Sequence, residues 1–334
     1  MKAVVTGGGG FLGRHLVAAL LERGDAVVSY ARGEYPALTA AGAACVRGDL
    51  ADRDALRRTV RGADVVFHAA AKAGIWGDPK AFWTTNVEGT RNVVAACLAA
   101  KVPRLVFTSS PSVCFDGKDH VRAGNDLPHA RRFLAAYPRT KAQAERIVLG
   151  ANGSGGLATC ALRPHLIVGL DDPHLLPRII VRARAGKLAV VGDGKNEVSL
   201  TAVENAVEAH LAAADRLAPG AQHAGRAYFV SQREPVVLWT WLGDLLERLG
   251  VPRPRRRVPL FAAYAAGATL EAWWRVRGLP GEPAMTRFLA LELARSHSYD
   301  MAPAERDFGY RERSSMSQVT EQLASSGRTA PAPV

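Results

Sequence analysis

The stretch VVTGGGGFLGRHL, residues 4–16, places four consecutive glycines between an apolar run and a helix-like pattern. Such glycines either make room for a phosphate or only allow a tight turn, and their context decides between the two. A strand-like run precedes them and a helix is expected from about residue 11 to 23, so a pyrophosphate would sit at the helix N-terminus. Gly7 would take the turn, Gly10 would let the pyrophosphate approach, and Gly13 would let the helix lie close on the strand. We therefore predict a dinucleotide site, although the spacing is one residue wider than the common G-x-G-x-x-G.

The residues after this loop alternate apolar strand-like runs with helical patterns. The strand-like runs are KAVVTG (2–7), AVVSYA (26–31), AACVRGDL (43–50), DVVFHAA (64–70), RLVFTSS (104–110), ATCALRP (158–164) and RAYFVS (226–231). Near-continuous apolar strands separated by helices predict a parallel sheet that is covered on both faces.

We therefore predict an α/β protein with two interleaved parts. The first is a Rossmann doubly wound parallel sheet, mainly over residues 1–169, with strands near 190–231 returning to it. The second is a smaller, partly helical C-terminal substrate lobe, mainly over residues 170–324, where helical segments alternate with loops. The last residues, 325–334, are expected to be disordered because SSGRTAPAPV offers little to bury.

Composition and charge argue against several other classes of protein. With 334 residues, 48% hydrophobic and 22% charged, the chain resembles an ordinary soluble globular protein in composition. Its net charge of +12 comes mostly from scattered residues, the one dense cluster being RPRRRV at 253–258, so we interpret it as solvated surface and predict no nucleic-acid binding. MKAVVTG lacks the apolar core of a signal peptide, and no apolar run is long enough to cross a membrane, so we expect a cytoplasmic enzyme.

No metal site is expected. The cysteines lie far apart in the chain, at Cys45, Cys97, Cys114 and Cys160. This spacing is typical of reduced core thiols rather than of a disulfide framework or a zinc site. His68, His165 and His174 likewise lack the spacing of a metal-ligand set.

The end of the second strand bears on the choice between NAD and NADP. A carboxylate there would bind the ribose 2′-hydroxyl of NAD and repel the 2′-phosphate of NADP. The segment SYARGE instead places Tyr30, Ala31 and Arg32 at this point. Arg32 is able to pair with a 2′-phosphate, with Arg14 as a second candidate, or is an ordinary surface arginine. The missing carboxylate favours NADP(H) over NAD.

Two further motifs fit the adenine and diphosphate side of a dinucleotide. Asp49, in GDL after the third strand, is placed to accept a hydrogen bond from an adenine amino group. HAAAK, residues 68–72, ends the fourth strand with small side chains that would let the dinucleotide lie across the edge of the sheet.

YPRTK, residues 137–141, contains the candidate acid–base residues. Tyr137 and Lys141 are four residues apart, which places them on one face of a helix. A phenol has a pKa of about 10, and we expect the nearby ammonium to lower the pKa of Tyr137 so that the phenol can act as an acid–base group. Upstream, TSSPSV (108–113) ends a strand with hydroxyls able to hold a carbonyl oxygen.

Taken together, these motifs resemble the extended short-chain dehydrogenases/reductases. The matching residues are Thr6-Gly7-x-x-Gly10-x-x-Gly13, Asp49-Leu50, His68-x-Ala70-Ala71, Asn86-Val87-x-Gly89-Thr90, Ser109-Ser110, Tyr137-x-x-x-Lys141, LRPHLIVG (162–169) and VENA (203–206). Within that family the chain is similar to the 3β-hydroxysteroid dehydrogenase branch and to the bacterial 2-alkyl-3-oxoalkanoate reductases of olefin and β-lactone biosynthesis. The subgroup resemblance lies in AKAGIWG (71–77), TSSPSV (108–113), VGDGKN (191–196) and GEPAMTRFL (281–289).

The resemblance implies NADPH-dependent reduction of the 3-keto group of a 2-alkyl-3-oxoalkanoic acid. Tyr137 would then donate the proton, Lys141 would hold the nicotinamide ribose and tune Tyr137, and Ser110 would hydrogen-bond the carbonyl. The implied cofactor contacts are Thr6, Gly7, Gly10, Phe11, Leu12, Gly13, Arg32, Asp49, Leu50, Ala69, Ala70, Lys72, Tyr137, Lys141 and Pro164. A homodimer through the Tyr137 helix and residues 87–101 is also implied. The chain departs from its relatives at Ser199-Leu200-Thr201-Ala202, where Asp-Thr-Thr-Tyr is usual.

Substrate recognition is left more open. VPLFAAYAAGATLEAWW (258–274) follows the basic cluster and is either a packed helix, a cover over a long-chain substrate, or a patch that rests on lipid or a partner enzyme. Arg287 and Lys72 are candidates to pair with a substrate carboxylate, or they form structural salt bridges. A hydroxysteroid or other alcohol/ketone dehydrogenase, a nucleotide-sugar epimerase or dehydratase, and a non-catalytic dinucleotide sensor remain as alternative functions.

Overall fold

The structure is a computed structural model that describes residues 1–173 and 175–326. The strands are β1 Lys2–Thr6, β2 Ala26–Ala31, β3 Ala44–Arg47, β4 Val65–His68, β5 Arg104–Thr108, β6 His120–Ala123, β7 Ala158–Pro164, β8 Ile167–Val168, β9 Val190–Val191, β10 Glu197–Val198, β11 Thr201–Ala202, β12 Arg226–Val230, β13 Val236–Val237, β14 Arg257–Val258 and β15 His297–Tyr299. The α-helices are α1 Phe11–Glu22, α2 Pro36–Ala40, α3 Arg53–Val60, α4 Pro79–Trp83, α5 Gly89–Ala99, α6 Ala136–Gly150, α7 Leu175–Arg184, α8 Val203–Arg216, α9 Leu238–Arg248, α10 Leu260–Arg277, α11 Arg287–Ala294, α12 Ala302–Phe308 and α13 Met316–Ser326.

Seven strands form the central sheet, in the order β12-β7-β5-β4-β1-β2-β3, and every neighbouring pair is parallel. These are the seven strands that the apolar runs predict, so the doubly wound α/β sheet is confirmed. The chain leaves β1 in one direction to form β2 and β3, then crosses to the other side of β1 to form β4 and β5. This reversal creates a crevice beyond the carboxyl ends of β1 and β4, the usual place for a ligand in such folds.

Apolar side chains cover both faces of the sheet. On one face, α1 and α8 contribute residues such as Leu16 and Ala209, which are fully buried. On the other face, α3, α5 and α6 contribute residues such as Leu56, Val93 and Val148. The continuous apolar character of the strands follows from this two-sided burial.

A separate apolar cluster lies outside the central sheet. It combines residues of α7, α9 and α13, such as Ile180, Leu246 and Leu323, with residues of the short strands β8 to β11. Of the strands near 190–231, β12 returns to the central sheet, whereas β9, β10 and β11 pair in smaller sheets. The second apolar cluster is therefore built from segments that alternate along the chain with segments of the first part.

The C-terminal helix extends further than expected. α13 continues through Ser326, so the first two residues of the predicted disordered tail are helical, and residues 327–334 lie outside the described residues. Within the part of the chain that the structure describes, no helix is both long enough and apolar enough to cross a bilayer.

Candidate active site

The glycine loop is packed so tightly that side chains would not fit. Gly7 has a positive φ of 73°, and its carbonyl accepts a hydrogen bond from the Gly10 backbone N–H at 2.9 Å. A Cβ at Gly7 would lie 2.7 Å from the Cα of Ala70, and a Cβ at Gly13 would lie 2.1 Å from the Gly7 carbonyl oxygen. The loop therefore presents bare backbone at the N-terminus of α1, where a pyrophosphate is favourably bound.

A buried histidine stabilises the strand end that leads into this glycine loop. The Nδ1 of His68 lies 2.7 Å from the Thr6 hydroxyl, and its Nε2 lies 2.9 Å from the Thr90 hydroxyl. Since the Thr90 hydroxyl donates to the Asn86 carbonyl, it accepts from His68, which assigns the proton to Nε2. Burial and the nearby Lys141 lower the pKa of His68 to about 3, so the ring is neutral. His68 is thus a structural link between β1, β4 and α5.

A cavity of about 570 Å³ opens next to the loop, at the carboxyl edge of the sheet. Its lining includes seven of the predicted cofactor residues: Gly7, Gly10, Arg32, Asp49, Leu50, Ala69 and Ala70. Tyr30, Tyr35 and Thr85 also line the cavity and were not predicted. The Tyr35 ring lies so close to the loop that a Cβ at Gly9 would be 1.9 Å from it. Tyr30 and Tyr35 flank Arg32 in the sequence. An aromatic wall of this cavity could have been predicted from that pair.

The other residues expected to contact the cofactor are not in the lining of this cavity. Thr6 and Gly13 support the loop as described above. Leu12 packs in the apolar cluster under the sheet, Phe11 begins α1 and faces Gly169, and Pro164 ends β7. Asp49 accepts a hydrogen bond from the Ala51 backbone N–H.

Lys72 is held through its backbone. Its N–H donates to the Asn86 side-chain oxygen at 2.7 Å, and its carbonyl accepts from the same amide at 3.0 Å. Its ammonium lies over the Phe82 ring, 5.3 Å from the centroid. The Asn86 amide also donates to Thr140 on α6, so it ties the end of β4 to the helix that carries Tyr137.

Tyr137, Ser110 and Lys141 come together as predicted. Tyr137 and Lys141 lie one turn apart on α6, and Ser110 directly follows β5, where its hydroxyl caps a short 3₁₀ turn. The Tyr137 phenol lies close enough to the Ser110 side chain to interact with it, and the Ser110 hydroxyl is itself 2.9 Å from the Ser112 hydroxyl. Burial raises the pKa of Tyr137 above its usual 10, and the interaction with Ser110 opposes this rise. A phenol and a hydroxyl in contact can both donate to one carbonyl oxygen.

The expected effect of Lys141 on Tyr137 is not seen in this structure. Lys141 is 2% exposed, and its ammonium donates to the Thr108 carbonyl and lies 4.1 Å from the centroid of the Phe107 ring. Burial lowers the pKa of Lys141 itself to about 7, although Glu145 opposes the change. The ammonium is thus occupied by Thr108 and Phe107, and the prediction that it lowers the pKa of Tyr137 is corrected.

An ion pair fixes the catalytic helix against the sheet. Glu145, one turn beyond Lys141, accepts hydrogen bonds from Nε and Nη2 of Arg163 on β7, at 3.0 and 2.6 Å. His129 contacts the same carboxylate at 2.6 Å. These bonds lower the pKa of Glu145 to about 2 despite its burial. A rigid α6 keeps Tyr137 in position beside Ser110.

Sequence reasoning missed a second polar group in this part of the molecule. One ligand-type atom from each of His165, Glu292 and His297 lies within 4.8 Å of the others. Neither ring nitrogen of His297 has a hydrogen-bond partner in the described part of the chain, and its Nδ1 lies 3.8 Å from a Glu292 oxygen. The His297 ring packs against Phe115, which follows the Ser110 turn. We call these three residues the cleft cluster. Nothing in their spacing indicates it, because the cluster joins residues more than 120 positions apart.

Burial controls the protonation of the cleft cluster. It raises the pKa of the Glu292 carboxyl to about 8 and lowers the pKa of His165 to about 4. The His165 Nδ1 donates to the Ser199 carbonyl at 2.6 Å, and the Thr201 hydroxyl donates to the His165 carbonyl at 2.5 Å. Residues 199–202, where the sequence predicts a departure from the family pattern, therefore hold His165 in place. Two imidazoles and a carboxylate are also a donor set for a divalent cation, so the expectation of no metal stays a prediction, and His174 lies outside the described residues.

Arg287 is committed to a structural partner. Its Nε and Nη2 bind one oxygen of the buried Glu271 carboxylate at 3.0 and 2.8 Å, and its backbone N–H binds the other oxygen. The alternative of a salt bridge is therefore the one observed, and Arg287 is not a free cation for a substrate carboxylate.

A doubly wound sheet whose switch point carries a bare glycine loop, with a phenol, a hydroxyl and an ammonium beside it, is the arrangement of short-chain dehydrogenases/reductases. The glycine cradle, the helix terminus and the flat cavity fit a nicotinamide dinucleotide, and the chain is an oxidoreductase of this class. Over residues 4–260 it matches the 3-beta hydroxysteroid dehydrogenase/isomerase family, and it belongs to that family.

Individual relatives extend this comparison to the whole chain. The chain is 46% identical over 328 residues to the 2-alkyl-3-oxoalkanoate reductase of Stenotrophomonas maltophilia, covering 98% of this chain and 99% of that protein. It is 43% identical to the 2-alkyl-3-oxoalkanoate reductase of Shewanella oneidensis, covering 97% and 86%. The crystal structure of gox2253 superposes with a TM-score of 0.77 at 26% identity, covering 98% of this chain and 99% of that one.

Proposed function

We propose that this protein reduces the 3-keto group of a 2-alkyl-3-oxoalkanoic acid to a 3-hydroxy group with NADPH. The observation that carries the proposal is the contact between Tyr137 and Ser110 at the carboxyl edge of the sheet, with Lys141 one turn away. The identity to reductases of this name over nearly the whole chain supports the choice of substrate.

Each of the three residues has a distinct role in this proposal. A bound reduced nicotinamide supplies the hydride. Ser110 and Tyr137 donate hydrogen bonds to the substrate carbonyl, and Tyr137 gives up its proton as negative charge develops on that oxygen. The raised pKa keeps Tyr137 protonated before the reaction, which is the state that a proton donor needs. Lys141, one turn away on α6, is the residue we assign to the ribose hydroxyls of the bound cofactor, for which its amine would leave the Thr108 carbonyl.

The surroundings of Arg32 support NADPH rather than NADH. Arg32 is exposed at the end of β2 and lines the cavity, and its carbonyl accepts a hydrogen bond from Arg47. The neighbouring carboxylate, Glu34, is paired with Arg47. Two guanidinium groups at this position favour a 2′-phosphate, and no carboxylate of β2 is there to bind the 2′-hydroxyl of NAD.

The substrate is tested by turnover. We expect NADPH oxidation with 2-alkyl-3-oxoalkanoic acids of long chain length, and much weaker turnover with a 3-ketosteroid. Preference for the steroid would replace the proposal by the main alternative, a hydroxysteroid dehydrogenase, which the family name favours. Turnover of neither class would reject both.

The cofactor is tested separately. Arg32→Glu should raise the KM for NADPH by about 10- to 100-fold, because it replaces a charge-assisted contact by a repulsive one. Arg248→Glu makes the same charge change on α9 and should leave that KM unaltered. If wild type prefers NADH, or if both variants behave alike, the assignment of NADPH fails.

Two further features complete the proposal. A 2-alkyl-3-hydroxy acid is the kind of product that olefin and β-lactone biosynthesis consumes, and we propose this metabolic setting. We also propose a homodimer through α5 and α6, which pack side by side on one face of the sheet. Light scattering that gives a monomer at micromolar concentration would reject the dimer.

A further inference from the structure

The helix α10 carries apolar side chains toward solvent. Phe261 is 78% exposed, Val276 is 84% exposed and Trp273 is 50% exposed. At 100° per residue, positions 261, 265, 269, 272 and 276 share one side of the helix, and Ala265, Thr269 and Ala272 between the two large residues are also exposed. We call this side the outward face. It holds no charged side chain, which is the reverse of an ordinary surface helix.

The helix is firmly attached by its other side. A Cβ at Gly267 would lie 2.6 Å from the backbone of Thr286, so α10 packs directly on the start of α11. The buried Glu271 binds Arg287 through both carboxylate oxygens. The outward face is therefore presented by a fixed helix, and its apolar residues do not turn inward.

Arginines surround the outward face at both ends. Arg255, Arg256 and Arg257 are exposed just before α10, and Arg275 and Arg277 are exposed at its C-terminal end. The Arg277 guanidinium lies 4.5 Å from the centroid of the Trp273 ring. Between residues 255 and 282 the carboxylates are Glu271, which is buried and 3.6 Å from the Arg275 guanidinium, and Glu282, which is paired with Arg178. Arg255, Arg256, Arg257 and Arg277 have no ion pair among the described residues. The rim therefore attracts anions.

We propose that α10 lies in the plane of an anionic lipid bilayer, with the outward face among the acyl chains and the arginines at the phosphate groups. An apolar face, flanking arginines and a tryptophan at the boundary are what such interfacial helices combine. The helix is about 27 Å long at 1.5 Å per residue, and it lies flat rather than crossing the bilayer.

α10 contacts a loop near the candidate active site, so lipid binding at the outward face would bring the bilayer close to that site. The Arg275 guanidinium lies 4.9 Å from the centroid of the Trp76 ring, and Trp76 belongs to the loop that follows Lys72. The bilayer would therefore meet the protein next to the cofactor side of the site. Lipid binding itself does not depend on the proposed reaction, and the two fail independently.

The proposal is tested by sedimenting the full chain with vesicles. We expect binding to vesicles of equal parts phosphatidylcholine and phosphatidylglycerol, and little binding to phosphatidylcholine alone. The double variant Phe261→Ser/Val276→Ser should bind the anionic vesicles at least about tenfold more weakly, since two large apolar side chains are lost. Val121→Ser removes an apolar residue that is 62% exposed on β6, and it should bind as wild type does.

The charge contribution has its own test. Arg255→Gln/Arg256→Gln/Arg257→Gln should weaken binding to anionic vesicles by about fivefold for each arginine that contacts the surface. The same variant should leave the weak binding to phosphatidylcholine alone as it is. Equal binding of the wild type and the arginine variant to anionic vesicles would overturn the electrostatic part of the proposal.

Two other outcomes would overturn the whole proposal. One is that wild type does not sediment with either vesicle. The other is that light scattering shows a wild-type dimer that Phe261→Ser/Val276→Ser dissociates, because the face would then be a contact between two copies. If Phe261→Ser/Val276→Ser misfolds, the proposal is tested in the wild type by measuring how far brominated lipid quenches Trp273 fluorescence. Trp273→Phe is the reference protein for this measurement. No quenching difference between these two proteins would contradict the proposal.

Discussion

His68, at the end of β4, and His297, at the start of β15, are both buried histidines, but they use their ring nitrogens differently. Both nitrogens of His68 are engaged, by the hydroxyls of Thr6 and Thr90. Neither nitrogen of His297 has a hydrogen-bond partner among the described residues, although the side chain is only 1% exposed and Nδ1 lies 3.8 Å from a Glu292 oxygen. Burial lowers the pKa of both rings, so both are neutral at pH 7.

The two histidines therefore differ in role: His68 is a structural residue, whereas His297 belongs to a cluster whose hydrogen-bonding groups are not all used. A buried polar group without a partner costs about 1–3 kcal/mol, whereas one with its hydrogen bonds made costs little. The cofactor side of the molecule is thus held rigid by satisfied bonds beneath the glycine loop. The cleft cluster keeps hydrogen-bonding groups without a hydrogen-bond partner among the described residues, where α11 and β15 meet the residue that follows β7.

The first prediction has the largest expected effect, and it tests whether the reaction takes place at Tyr137, on the side of the molecule that His68 stabilises. Tyr137→Phe should lower kcat by about 10³- to 10⁴-fold, because it removes the proton donor. The Kd for NADPH should stay within about twofold of wild type, since the ring and Lys141 remain. Steady-state kinetics and fluorescence titration measure the two quantities.

A matched variant controls for the loss of a buried phenol. Tyr228→Phe removes a hydroxyl that donates to Asp307 at 2.7 Å, far along the chain from the catalytic helix. It should retain kcat while losing some stability. A Tyr137→Phe enzyme with near-normal kcat would place the chemistry elsewhere.

The second prediction compares how replacing each of the two histidines changes the free energy of unfolding. His68→Ala should lower the free energy of unfolding by about 2–4 kcal/mol, because it leaves a cavity and removes the acceptor of the Thr6 hydroxyl. His297→Leu removes two nitrogens that lack a hydrogen-bond partner among the described residues, at similar volume, and the free energy of unfolding should change by less than about 1 kcal/mol or rise. Chemical denaturation measures both. Equal losses would show that the two histidines do not differ in the way described.

The third prediction concerns Glu292. In the folded state its pKa is about 8, against an ordinary value of 4.5, so the folded protein holds a proton that the unfolded chain releases. Stability should therefore fall as pH rises from about 4.5 to 8. Glu292→Gln should remove this dependence and exceed wild type by about 4 kcal/mol at pH 8, with no difference near pH 4.

An exposed carboxylate serves as the reference for that experiment. Glu22→Gln changes the same charge on the surface of α1 and should shift the unfolding curve little at either pH. If Glu292→Gln and Glu22→Gln have the same pH profile, the Glu292 carboxyl is not held neutral by burial.

The same contrast explains what was predictable from the sequence. The strands, Gly7, Gly13 and the placement of Tyr137 and Lys141 one turn apart on one helix depend on short spacings, and the structure has them as expected. The cleft cluster joins His165 with Glu292 and His297, and such a contact follows only from the packing of α11 and β15 against the sheet.

Charges were also harder to predict than positions. Arg287 looked available for a substrate, but the carboxylate that binds it lies 16 residues earlier on a different helix, and only burial makes that pair necessary. The expected influence of Lys141 on Tyr137 failed for a similar reason. The Thr108 carbonyl and the Phe107 ring that take up its ammonium belong to β5, and spacing within α6 says nothing about them.

The most direct test of the account follows the hydride itself. Wild-type enzyme is given NADPH deuterated on the transferable position of C4, together with a 2-alkyl-3-oxoalkanoic acid, and the product is examined by mass spectrometry and NMR. The account predicts one deuterium on the carbon that bears the new hydroxyl. A reduced product without deuterium at that carbon, or NADPH that is bound but never consumed with any 3-oxo acid, would contradict it.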